Sequence, residues 1–211
     1  GFGGTKTLVM ADREAILREV PTVKAAAGGS MSSSQVVFEN NNWFTQIQGT
    51  EPDYFDIRSW PVWTGTVFSE QDVEVASNVA VIGESVRQNL FGAVDPVGQT
   101  VRIKSIPFKV IGVLTARGQS AGGMGGDQDD VIFIPITTFQ QKITGDNWLR
   151  YIMVSAVSRE ASYAAQRQIE GLLRDRHRIN RPGVGDDFTV RNLADIADLA
   201  DAVRLQLRLR G

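Results

Sequence analysis

Apolar positions along the chain recur with two different spacings. Over Asp12 to Val20, Asp12, Ile16 and Val20 repeat every four residues and predict a helix that Pro21 stops, with short strands at Thr5–Met10 and Val23–Ala27 on either side. Gly28 to Ser34 reads as loop. From Gln35 to Gln48 the spacing changes to two, placing Trp43, Thr45 and Ile47 on one face and Phe44, Gln46 and Gln48 on the other. This predicts a hairpin over residues 35–48 that turns at Asn40-Asn41-Asn42.

Residues 50–71 are aromatic and turn-rich without a sustained period. Beyond them, Asn78–Ile82, Gln99–Lys104, Phe108–Thr115 and Val131–Ile134 are rich in Val, Ile and Phe and predict strands. One short helix, Ser85–Phe91 closed by Gly92, interrupts them, with turns at Asp95–Gly98 and Ser105-Ile106-Pro107. Thr137 and Gln140 have capping-box spacing for a helix ending near Gly145. Leu149–Val157 then predicts a strand, Ala161, Ala165, Ile169, Leu172 and Arg176 a helix over residues 160–177, and Phe188–Arg191 another strand. A further helix is expected from Asn192, with Leu193, Ile196, Ala200 and Val203 as its apolar stripe. The alternating end, Arg204 to Arg210, reads equally as a native segment or as a cloning remnant.

Strand, helix, strand at residues 5–27 and again at 149–191, around β-rich material, predicts an α+β chain. Its expected parts are a discontinuous, ferredoxin-like split βαβ unit from residues 1–57 and 146–211, and an inserted small β-rich unit, residues 58–145.

Composition narrows the function classes. The 211 residues carry 22 basic and 24 acidic groups, a formal charge of -2, so no basic excess favours nucleic acid as a partner. Without a cysteine there is no disulfide framework, thiolate nucleophile or zinc knuckle. No run approaches the roughly 18 apolar residues of a membrane-spanning helix. The start, Gly1-Phe2-Gly3-Gly4, suggests an excised fragment.

Candidate chemistry is sparse. His177, the only histidine, lies among Arg174, Arg176 and Arg178 and reads as a solvated helix terminus rather than a triad base. Five of the fourteen residues from Arg117 to Asp130 are glycine, which predicts a weakly restrained loop. Gly126 is followed by Asp127 rather than Lys, so this is no phosphate loop. Asp127, Asp129 and Asp130 could offer oxygens to a cation, but the spacing lacks the central glycine and terminal glutamate of a calcium loop. Trp60 and Trp63 are expected to be buried where the two units join. Phe2, Met124 and Trp148 are apolar residues in loose context.

Gly49-Thr50-Glu51-Pro52-Asp53-Tyr54-Phe55-Asp56-Ile57 resembles a recurring element of the MacB-like periplasmic core domain of ABC-transporter permeases. In the same order follow Val79–Gly83, Asn89–Gly92, Asp95–Thr100, Pro107–Val113 and Asp129–Pro135. The resemblance covers about residues 5–200 and implies a Porter-like discontinuous unit with a Sabre-like insertion, on the periplasmic face of the bacterial inner membrane. It implies a non-catalytic module without cofactor, in a homodimeric transporter whose ATP-binding subunit or domain lies elsewhere. Flanking membrane helices, a periplasmic adaptor and an outer-membrane channel are the further implied partners. In such a domain the Gly-rich loop, through Arg117, Gln119, Met124, Asp127, Asp129 and Asp130, is the expected partner-contact segment. Lipoprotein-releasing or cell-division-type permeases share the fold, and a small metal- or carboxylate-dependent hydrolase built on the acids is the alternative from another class.

Overall fold

A computed structural model describes residues 7–118, 126–192 and 204–209. The fold is α+β, and the chain divides into two compact units, residues 1–29 with 147–211 and residues 30–146. The first crossing therefore falls at Gly29/Ser30 rather than near residue 58, because residues 30–57 pack with the β-rich body. The return falls at Asp146/Asn147.

In the discontinuous unit, α1 (Met10–Glu19) precedes β1 (Val23–Phe38), whose first half pairs with β8 (Tyr151–Ala156). α6 (Arg159–Arg176) then leads to β9 (Phe188–Asn192) and β10 (Arg204–Leu209). The order is β1-β8-β10-β9, antiparallel throughout. β8 and β9 are thus parallel to each other with β10 between them, which is a split βαβ arrangement. The alternating Leu/Arg end forms this central strand, with Leu207 fully buried. Of the strand expected over Thr5–Met10, the described residues 7–9 run irregularly into the helix and Met10 opens it. Asn192 ends β9 instead of opening a helix; the stripe expected after it lies outside the described residues. Ser158 caps α6, its Oγ accepting the Ala161 N–H at 3.0 Å. The helix buries Ser162, Ala165, Ile169 and Leu173, a stripe rotated by one residue from the one centred on Ala161 and Leu172.

In the inserted unit, six strands close into a barrel of mixed direction. β1 pairs with β2 (Asn41–Thr50), which pairs with β7 (Val131–Pro135). The circuit continues through β4 (Val79–Ile82), β6 (Ile106–Leu114) and β5 (Thr100–Ile103). It returns to β1 at Val36↔Ile103. Closure leaves these six strands no open edge, and β3 (Val62–Gly65) adds to β6 beyond the end of β5. The hairpin is longer than its alternation suggested, pairing from Ser30↔Gly49 to Phe38↔Asn41 around Glu39 and Asn40. The next hairpin turns at Lys104 and Ser105, both at positive φ (50° and 65°), so Ile106 and Pro107 belong to the strand.

Val36, Ile47, Ile82, Ile103, Phe108 and Ile132 belong to one buried cluster. α4 (Glu84–Val86) with its π-helical continuation Arg87–Phe91 adds Val86, Leu90 and Phe91 to it. α5 (Ile136–Thr138) with its π-helical continuation Phe139–Thr144 adds Phe139 and Ile143. Thr137 and Thr138 do not cap that helix; their hydroxyls donate to the carbonyls of Val73 and Ser77. β7 is buried at all five positions because its second face is also covered. Phe133 packs at 5.2 to 5.6 Å against Tyr54 and Phe55 of α2 (Asp53–Ile57) and against Trp60. Trp60, 3% exposed, is therefore buried within this unit, whereas Trp63 on β3 is 71% exposed. Outward alternation on a short strand displays Trp63 instead of burying it. α3 (Glu70–Glu74), capped by Ser69, completes the unit.

Candidate functional site

The base of the Gly-rich loop between β6 and β7 is tied down by its own charged residues. Asp129, only 5% exposed, accepts the backbone N–H groups of Arg117 and Gly118, each at 2.8 Å. Its carbonyl accepts the Ser85 N–H at 3.2 Å, and a Cβ at Gly83 would meet that carbonyl oxygen at 2.1 Å. Asp127 accepts the Asp129 N–H at 2.8 Å through one oxygen and the Ser85 hydroxyl through the other. Asp130 accepts Trp43 Nε1 at 2.8 Å and Thr45 Oγ1 at 2.6 Å. The Arg117 guanidinium donates to the carbonyls of Arg58 and Ser59 and lies 5.0 Å from the Trp60 ring.

The structure thus brings Arg117, Asp127, Asp129 and Asp130 together, while Gln119 and Met124 lie outside the described residues. The three carboxylates point at protein donors rather than at one another. Among the described residues no group of three or more His, Asp or Glu side chains is arranged to hold a metal ion. Beside them is an open cleft of about 400 Å³, lined by Ser33, Phe44, Thr45, Gln46, Gly126, Asp127 and Asp130. Phe44, 58% exposed, is its apolar element. The hairpin alternation had placed Phe44 on the face opposite Thr45 and Ile47; what it lacked was the partner segment, which comes from about 80 residues later.

The discontinuous unit holds a buried ion cluster that sequence spacing does not reveal. His177, with a side chain only 6% exposed, is not a solvated terminus. Its Nε2 lies 3.0 Å from Asp12 Oδ2 and its Nδ1 lies 2.8 Å from Asp187 Oδ1. Arg176 Nε donates to Asp12 Oδ1 at 2.8 Å, and the Val9 N–H donates to Asp12 Oδ2 at 3.1 Å. The hydrogen bond to Asp12 raises the His177 pKa from its ordinary value against the opposing effect of burial, and Asp187 adds to the rise. Burial pushes Asp12 up, but the hydrogen bonds from His177, Arg176 and Val9 outweigh it and hold the carboxyl below its ordinary value. With both ring nitrogens engaged by carboxylates, the imidazole has no free nitrogen to serve as a general base.

The profile of the MacB-like periplasmic core domain matches residues 1–172. The chain belongs to this family. It is similar to the macrolide export ATP-binding/permease protein MacB of Syntrophobacter fumaroxidans, at 34% identity over 99% of this chain and 36% of that protein. The protein of the same name from Azoarcus sp. is 36% identical over 97% of this chain and 30% of its own length. The chain thus spans about a third of the curated relatives it matches. Among solved structures, the periplasmic region of MacB from Actinobacillus actinomycetemcomitans has a TM-score of 0.72 and 26% identity, covering 84% of this chain and 80% of that one. The extracellular domain of the Gram-positive transporter YknZ has a TM-score of 0.70 at 20% identity, covering 82% and 86%, and shares the fold. For a MacB-like periplasmic core domain, the segments quoted from the sequence acquire concrete roles. Tyr54 and Phe55 cover Phe133 of β7, Gly83 makes room for Asp129, and Asn89 to Gly92 closes the helix that fills the barrel.

Proposed function

We propose that this chain is the extracytoplasmic part of an ABC transporter permease, at the periplasmic face of the inner membrane, and that it relays motion of flanking membrane helices without breaking bonds itself. The observation that carries this reading is the division of the family fold into two compact units by a chain that crosses twice. One crossing lies inside β1, a continuous strand of 16 residues hydrogen-bonded to β8 in one unit and to β2 in the other. Displacement at one end of such a strand must either shift both sets of hydrogen bonds or bias which of two arrangements is populated.

In this reading ATP hydrolysis occurs in a separate subunit or domain, two copies assemble, and a periplasmic adaptor and outer-membrane channel receive the cargo. The names of the relatives support macrolides or similar amphiphilic molecules as that cargo. Gln119, Met124 and Asp127 would meet a partner, while Arg117, Asp129 and Asp130 hold the loop base. A flexible Gly-Ser insertion at Asp146/Asn147 in the full-length transporter tests the relay. Export into proteoliposomes should fall several-fold while basal ATP hydrolysis persists and the domain melts at an unchanged temperature. Export at the parental rate would refute the relay.

A further inference from the structure

The buried cluster around His177 is unused by the transport reading, and its geometry fixes the charge of the ring. Asp12 is ionised, since it also receives Arg176 Nε and the Val9 N–H. A neutral imidazole donates from one nitrogen only and would turn the lone pair of the other toward a carboxylate oxygen at about 3 Å. The arrangement of Asp12, His177 and Asp187 therefore requires imidazolium, and Asp12, Asp187, His177 and Arg176 together balance two negative charges with two positive ones.

We propose that His177 is a pH-sensitive clamp within the discontinuous unit, whose second proton ties the first turn of α1 to the end of α6 and to the entry of β9. The groups facing it are Asp12 from α1, Arg176 from α6, and Asp187 with the edge-on Phe188 ring, at 6.1 Å between centroids, from the approach to β9. Of the neighbouring ion pairs, Arg174 with Asp186 joins α6 to the same approach, while Arg174 with Glu170 lies within the helix. Loss of the His177 proton leaves a carboxylate, Asp12 or Asp187, facing a lone pair out of water. The contact then has to open. Because the native pKa lies above the ordinary 6.5, the stabilisation is complete below that value and is lost as pH climbs through the native one.

The composition makes this readable. With one histidine and no cysteine, no other side chain has an ordinary pKa between about pH 6 and 9. In the 211-residue chain the single imidazole Cε1–H resonance should titrate with a midpoint above 6.5, and amide protection in the first turn of α1 should fall with the same midpoint. Asp187→Asn, altering the more accessible of the two carboxylates, should lower that midpoint, by about one pH unit for every tenfold weakening of the coupling. His177→Gln should flatten the melting temperature across the same window. A midpoint at or below 6.5, or α1 protection indifferent to the titration, overturns the clamp. These readouts need no transporter, so failure of the transport reading would leave them standing.

Discussion

At the residue scale, the same side-chain types take opposite roles according to what faces them. Asp127 and Asp129 are two residues apart, yet Asp129 is buried and holds two backbone amides while Asp127 sits on the cleft wall. Asp129→Ala should therefore cost about 1–3 kcal/mol in chemical denaturation, because two charge-assisted hydrogen bonds at the loop base are lost. Gly29 is another case: a Cβ there would lie 2.2 Å from the Tyr151 ring, so Gly29→Ala is expected to destabilise by about 1–3 kcal/mol, measured the same way. Neither demand is visible in Gly28-Gly29 or in an acidic loop read alone. His177 shows the limit most clearly, since its partner Asp12 lies 165 residues away and no local pattern couples them.

At the element scale, strong local periods predicted well and neutral segments did not. α6 and the hairpin follow from four-residue spacing and alternation, and the strands through Ile82, Leu114 and Ile134 from their content of Val, Ile and Phe. Gly28 to Ser34 reads as loop because Gly and Ser have low strand propensity, but pairing to β8 and β2 outweighs that preference. The capping-box spacing at Thr137 misled for the opposite reason, since hydroxyls that find tertiary carbonyls do not cap. The cap at Ser158 is genuine, and Ser158→Ala should lower stability by about 1 kcal/mol, with the loss read as fraying of the first turn of α6 by hydrogen exchange.

At the scale of the molecule, two units with separate cores should unfold as separate transitions. Removing residues 204–211 takes the central strand from between β8 and β9 and should melt the discontinuous unit. The barrel signals in a proton–nitrogen correlation spectrum should remain in place; their joint loss would mean that the units fold as one. On the acid side, Asp12 is lowered despite burial. Asp72 is likewise held down by hydrogen bonds from Ser69 and Ser77 against burial, and Glu84 chiefly by its hydrogen bond with Arg87. Their contribution is present above the unfolded-state values and lost as pH falls through the depressed native ones, so on acidification the melting temperature should begin to drop below about pH 4.

The residue pattern by itself determined the α+β class, most strand positions, the helix α6 and membership of a family whose ordered turn-and-strand segments it carries. It could do so because periodicity and turn chemistry act between neighbours in the chain. Tertiary structure alone decided the barrel closure at Val36↔Ile103, the crossing inside β1, the central place of β10 and the cluster around His177. Each of these is a pairing between distant segments, worth its ordering entropy only when both partners are already held in place.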